Sequence, residues 1–169
     1  QTPVILTRYK EHAKILYDML KNEADHVFLL YGDNSDKENA EMRIRLKQVP
    51  RTESLILIAT GQKIGEGFDF PRLDALMLAA PVSAEGRLVQ YIGRLNRDYE
   101  GKEAVYVYDY IDAHMMKFNK MYEKRLRTYK KTGFSVWTGE QQDKQVVQAI
   151  FDSENYTEKF EQDLIEAEK

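Results

Sequence analysis

Apolar residues recur along this chain in two alternating rhythms. Val4–Leu6, Val27–Leu30 and Leu55–Ala59 are short, near-continuous apolar runs, the pattern of strands in a sheet covered on both faces. Between the first two runs, Tyr9, Ala13, Leu16 and Leu20 recur at three- and four-residue steps, which predicts a helix over Tyr9–Asn22 with these four side chains on one face. The same reading predicts strands over Pro3–Thr7, His26–Tyr31, Ser54–Ala59, Asp74–Ala80 and Glu103–Tyr110. Gly32-Asp33-Asn34 is a turn signal. Ser35 and Glu38 then form a capping box, opening a helix that runs to Gln48 before Pro50 stops it. Strand and helix alternate, so the pattern predicts an α/β fold with a parallel sheet, flanking helices and right-handed crossovers.

Past Tyr110 the rhythm changes. Asp112–Lys131 reads as one long helix with Met115, Met116, Phe118, Met121 and Tyr122 for apolar contacts, ended by Thr132-Gly133. A short aromatic stretch, Phe134–Trp137, precedes two further expected helices over Gln141–Phe151 and Glu154–Glu168. The expected division is therefore a domain over residues 1–112 and a helical extension over 113–169, a possible linker into a further domain.

Composition changes this picture little. At 169 residues, 43% hydrophobic and 31% charged, the chain can bury one good core. The absence of Cys excludes a disulfide framework and a thiolate metal site, and fits a reducing, cytoplasmic setting. No apolar run approaches the roughly 20 residues needed to span a membrane. The sequence opens on Gln1-Thr2 and runs almost at once into an apolar stretch, as expected of a piece of a longer protein. Charge is more informative in its distribution than in its net value of −3. Lys117–Lys131 carries seven basic residues and one acid, whereas Phe151–Lys169 carries seven acids and two lysines. The basic helix reads first as a solvated face over a packed apolar side, second as a nucleic-acid contact.

The most informative stretch lies between the fourth and fifth expected strands. Wound as a helix, it places Leu88, Ile92 and Leu95 on one face and Arg87, Gln90, Arg94 and Arg97 on the other. No carboxylate falls within the arginine stripe. Guanidinium groups without a local partner suit a phosphate-like anion, although the periodicity alone favours an ordinary solvated helix face. Upstream, Thr60–Pro71 holds Gly61, Gly65 and Gly67, a density that implies positive φ or close backbone approach. The spacing matches neither the dinucleotide fingerprint nor a phosphate loop. His12, His26 and His114 have no metal-ligand spacing, and no metal site is expected.

Gln90-Tyr91-Ile92-Gly93-Arg94-Leu95-Asn96-Arg97 resembles motif VI, Q-x-x-G-R-x-x-R, of superfamily-two helicases, which lies in their second RecA-like domain. Ile58–Pro71 resembles motif V, Val4–Arg8 resembles motif IV, and Leu30-Tyr31-Gly32-Asp33 resembles the strand end between those two. Four matches in order are specific, and they cover residues 3–112. The resemblance implies a RecA-like fold and one half of an ATP-dependent helicase or translocase. It implies that Arg94 and Arg97 are arginine fingers, which supply about 10³–10⁵ in rate to NTPases of this general kind, and that Gln90 bonds the γ-phosphate or the attacking water. Gly67 is then expected near the ATP phosphates, and Asp69 on the ribose or assisting the arginines. Thr7, Arg8, Gly32 and Thr60 are expected along the nucleic-acid strand, where phosphate contacts position without reading sequence. Arg87 lies outside the motif and is at best a supporting candidate beside the two fingers.

The phosphate loop and the acidic box that holds Mg²⁺ belong, in such enzymes, to the N-terminal RecA-like domain. That domain of the same full-length protein is the implied partner, with ATP and Mg²⁺ as cofactors, and this chain alone is expected to be inactive. Gln90 stands where RNA-handling DEAD-box members usually have His, so the resemblance leans to DNA rather than RNA, in the style of DNA-repair and restriction-type helicases. The alternative is a catalytically silent nucleic-acid-binding RecA-like module. A Rossmann oxidoreductase is a weaker rival, since its glycine fingerprint and acidic ribose partner are missing.

Overall fold

The apolar runs become strands of one sheet, and the longer periods become the helices that cover it. The structure, a computed structural model, describes residues 1–31, 35–61, 64, 68–82, 85–111, 115–138 and 145–149. In chain order the elements are β1 (Pro3–Thr7), α1 (Lys10–Leu20), β2 (His26–Leu30), α2 (Asp36–Gln48), β3 (Leu55–Thr60), β4 (Ala75–Leu78), α3 (Glu85–Leu95), β5 (Val105–Asp109), α4 (Met116–Lys131), β6 (Phe134–Thr138) and β7 (Gln145–Ala149). The strand order is β2-β3-β1-β4-β5-β7-β6. The first five strands pair in parallel, as the near-continuous apolar runs predict. The RecA-like arrangement of parallel sheet and flanking helices is thus present.

Successive strand residues point to opposite faces, and the core divides accordingly. Val4 and Leu6, Phe28 and Leu30, Leu57 and Ala59, and Leu76 and Leu78 face one side, where they pack with Leu88, Tyr91, Ile92 and Leu95 of α3. Ile5 and Ile58 face the other side with Ala13 of α1, flanked by Leu16, Tyr17 and Leu20. A Leu or Ile fully buried in this way is worth about 1.5–3 kcal/mol, so α3 is held down firmly by its apolar face. The Ser35–Glu38 capping box forms as expected, and the donors at Ser35 hold the Glu38 carboxyl below its ordinary range. Gly133 ends α4 with φ +82°, the left-handed conformation that glycine adopts without a Cβ penalty.

Two expectations fail locally. Tyr9 is not on the buried face of α1. It precedes the helix in an extended conformation and is 63% exposed. The helix expected over Gln141–Phe151 is, at its described residues Gln145–Ala149, the strand β7, paired antiparallel with both β5 and β6. The aromatic stretch Phe134–Trp137 falls within β6. The extension is therefore helical over α4 and then adds two strands to the sheet. The helix expected over Glu154–Glu168 lies outside the described residues.

Candidate functional site

Strand order explains where a site can form. The connection leaving β1 runs toward β2 on one side, and that leaving β4 runs toward β5 on the other. A crevice outside the carboxyl ends of neighbouring strands that diverge in this way is the usual ligand position in parallel α/β sheets. Here a cleft of about 510 Å³ opens at that point, lined by Leu6, Thr7, Arg8, Thr60, Gly61, Ala80, Pro81, Val82, Arg87 and Tyr91. None of these is acidic.

Thr7 and Thr60 are direct register partners on β1 and β3, so two residues fifty-three positions apart in sequence end adjacent strands side by side. The Thr7 hydroxyl lies 2.7 Å from His12 Nδ1 and accepts a long bond of 3.5 Å from the Tyr9 N–H. Arg8 is exposed beside it. Three of the four expected strand-contact residues, Thr7, Arg8 and Thr60, therefore share one cleft. The fourth, Gly32, lies outside the described residues.

Gly61 owes its identity to space rather than to backbone angle, since its φ is not positive. The Tyr91 hydroxyl donates to the Gly61 carbonyl at 3.0 Å, and a Cβ on Gly61 would overlap that hydroxyl. Burial pushes the Tyr91 hydroxyl pKa up, with Arg87 nearby opposing the shift, so at neutral pH the group is a donor. This bond ties the loop after β3 to the middle of α3.

The second half of α3 has a different environment. Arg94 is half-buried and its Nη1 donates to the Phe68 carbonyl at 2.6 Å. The expected stripe breaks before Arg97, because α3 ends at Leu95; from the turn two residues beyond, Arg97 pairs with Asp69 at 2.9 Å, both side chains being about half exposed. Gln90 is exposed one turn earlier. The sequence shows no carboxylate within the stripe, but folding brings Asp69 to it from the loop upstream. Asp69 is thus paired with Arg97. Gly67 lies outside the described residues. Lys102 holds this end in place: its Nζ donates to the carbonyls of Leu95 and Arg97, both at 2.8 Å, and to Pro71 at 2.5 Å. One ammonium group so caps α3 and fastens it to the Asp69 loop.

A third group was not legible in the sequence. Arg125, within the basic helix read as a solvated face, is 4% exposed. It forms a two-pronged pair with buried Asp109, at 2.7 and 2.8 Å, and donates to the Val82 carbonyl in the cleft wall at 3.0 Å. The Tyr129 hydroxyl donates to the same carboxylate at 2.9 Å, and burial together with the neighbouring Asp109 pushes its pKa far up. The other basic residues of α4 are exposed, as expected.

No protein-family model matches the chain. Over 113 residues it is 34% identical to "Putative helicase 161L" of Invertebrate iridescent virus 6, covering 67% of this chain and 22% of that protein. Over 114 residues it is 26% identical to the ATP-dependent DNA helicase uvsW of Enterobacteria phage T4, again covering 67% of this chain and 22% of that protein. The crystal structure of T4 UvsW superposes with a TM-score of 0.57 at 24% identity, covering 77% of this chain and 29% of that one. With the fold and motif order, these place the chain among the superfamily-two helicases, as a second RecA-like domain. The chain spans about a fifth of the length of the two curated relatives.

Proposed function

We propose that this chain is the second motor domain of an ATP-dependent DNA helicase or translocase, working with an N-terminal RecA-like domain of a longer protein. The observation that carries this reading is the division of labour along α3. One end borders a cleft that holds Thr7, Arg8 and Thr60 with no acid among its described lining, while the other presents Arg94 and, in the turn just beyond, Arg97 beside Asp69. In this reading the first end holds strand phosphates and the second faces ATP across the domain boundary.

The residues at the second end suit a phosphoryl anion. Arg97 spends one N–H on a half-exposed Asp69, a pairing worth about 0–1 kcal/mol, so exchange onto a multiply charged phosphate costs little. Bound ATP supplies a phosphoryl group that gathers negative charge as it leaves. Arg94 and Arg97 bring planar donors to that charge, Gln90 orients the attacking water or the γ-phosphate, and Asp69 with Gly67 borders the nucleotide. Mg²⁺ is assigned to ligands on the N-terminal domain. DNA is preferred over RNA because Gln90 opens the motif and because one relative is named a DNA helicase. A cytoplasmic location is part of the proposal. No described helix is long and apolar enough to cross a membrane.

The test is an ATPase assay with and without single-stranded DNA, on residues 1–169 alone and on the full-length protein. The chain alone should be silent, and the full-length protein should turn over with DNA stimulation. Robust DNA-stimulated hydrolysis by residues 1–169 would refute the half-site reading.

A further inference from the structure

Arg87 belongs by spacing to the same stripe as Arg94 and Arg97, yet folding separates it from them. It lines the cleft at the carboxyl ends of the strands, together with Thr7, Arg8, Thr60 and Tyr91. Arg94 and Arg97 do not line it, and are engaged with the Phe68 carbonyl and Asp69. Arg87 is exposed and, like Arg8, has no hydrogen bond or ion pair to another described residue. The cleft thus presents two guanidinium groups that no described residue engages, and two threonines, with no described carboxylate among them.

The surroundings fix where Arg87 starts. The Tyr91 hydroxyl, one turn further along α3, is tied to the Gly61 carbonyl at 3.0 Å, so the backbone carrying Arg87 is pinned to the loop after Thr60. The Val82 carbonyl, also in the cleft lining, is held at 3.0 Å by buried Arg125. A charge on a flexible stem, with no counter-ion among the described residues, is suited to a mobile anionic backbone rather than to a structural ion pair.

We infer that Arg87 is a strand-binding residue, gripping a backbone phosphate of single-stranded DNA in the cleft opposite Arg8, and not a member of the finger pair. The inference rests on the proposed assignment of this cleft to the strand and adds to it a residue outside the helicase motif.

The test uses the 169-residue chain and fluorescence anisotropy with a short fluorescein-labelled oligo(dT) across a salt series. Arg87→Ala should weaken binding about 5- to 10-fold at low salt, as expected for loss of one charge-assisted contact, and should flatten the log–log salt slope by about 0.7. Arg87→Lys should restore the slope and part of the affinity. Lys47→Ala, which removes an exposed charge outside the cleft, should leave both unchanged. If Arg87→Ala binds like wild type while Arg8→Ala and Thr60→Ala bind weakly, the inference fails and the strand cleft stands. If none of the three weakens binding, or the wild-type chain shows no salt-dependent binding, both fail. Circular dichroism melts of each variant establish that the fold is intact, and the slope recovered by Arg87→Lys separates a charge contact from a loss of structure.

Discussion

The start of α3 and the turn where it ends carry the same residue type and treat it in opposite ways. At the cleft end, Arg87 faces a space without a described acid. At the far end, Arg97 is paired with Asp69 and Arg94 with a carbonyl, under the clamp of Lys102. A guanidinium left alone is available to whatever anion arrives. One already held in a weak, half-exposed pair is pre-oriented and can be exchanged at small cost. Position on a helix face therefore does not assign an arginine its task. The partner that folding delivers from elsewhere in the chain does.

The largest expected effect tests the wall that keeps the cleft end in place. Arg125→Ala leaves Asp109 buried and charged without its partner, a change that typically costs about 3–5 kcal/mol. Urea denaturation should show a midpoint lowered accordingly. Removing both charges together, as Arg125→Met with Asp109→Leu, should recover most of that loss. A single-mutant loss under about 1 kcal/mol would mean that the pair is not closed to water in solution.

The next effect strikes only the far end. Arg97→Lys keeps the charge but loses the planar fork. In the full-length protein kcat should fall about 100-fold, equivalent to roughly 2.7 kcal/mol. Apparent ATP affinity and DNA binding should change little. A variant that folds normally and keeps wild-type kcat would return Arg97 to the solvated face. One that loses ATP affinity with kcat intact would make it a ground-state binding residue.

How much of this was readable beforehand follows from the range of each interaction. The five parallel strands were legible because full burial on both faces writes itself into consecutive positions such as Leu55–Ala59. Thr7 and Thr60 were legible through motif order, although their side-by-side register is a product of strand pairing. The Arg97–Asp69 pair joins a helix to a distant loop, and no local window contains it. Arg125 looks like six other basic residues near it, and only its place opposite Asp109 buries it. β7 was misread for a similar reason. Gln145–Ala149 has only Val146 and Val147 to favour a strand, and the two strands beside it, β5 and β6, supply the rest.

The joint between the two ends gives a smaller effect. Gly61→Ala pushes a methyl group against the Tyr91 hydroxyl, and overpacking of this kind costs about 1–3 kcal/mol. Tyr91→Phe removes the obstructing oxygen together with its bond to Gly61. In that background the cost of Gly61→Ala should shrink by about 1 kcal/mol, a coupling that a double-mutant cycle on thermal or urea stability can read. Strictly additive costs would show that Tyr91 already yields to the new methyl, and that the cleft loop and α3 are less firmly tied than the hydrogen bond implies.

The smallest effect strikes only the cleft. Thr60 ends β3 beside Thr7 and is 8% exposed, so Thr60→Ala removes a hydroxyl from the cleft while leaving the strand paired. A neutral donor to phosphate contributes less than a guanidinium, and a net loss of about 1 kcal/mol corresponds to roughly fivefold weaker binding of single-stranded DNA. That loss should be equal for oligonucleotides of different sequence, because a phosphate contact carries no base information. It should leave the salt slope at its wild-type value, because no counterion-releasing charge has gone. In the full-length protein more DNA should then be needed for half-maximal ATPase stimulation, while Arg97→Lys should lower the maximum and leave the half-maximal concentration in place. If Thr60→Ala instead lowers the maximum at saturating DNA, the two ends of α3 do not divide the work, and the cleft itself takes part in setting the fingers.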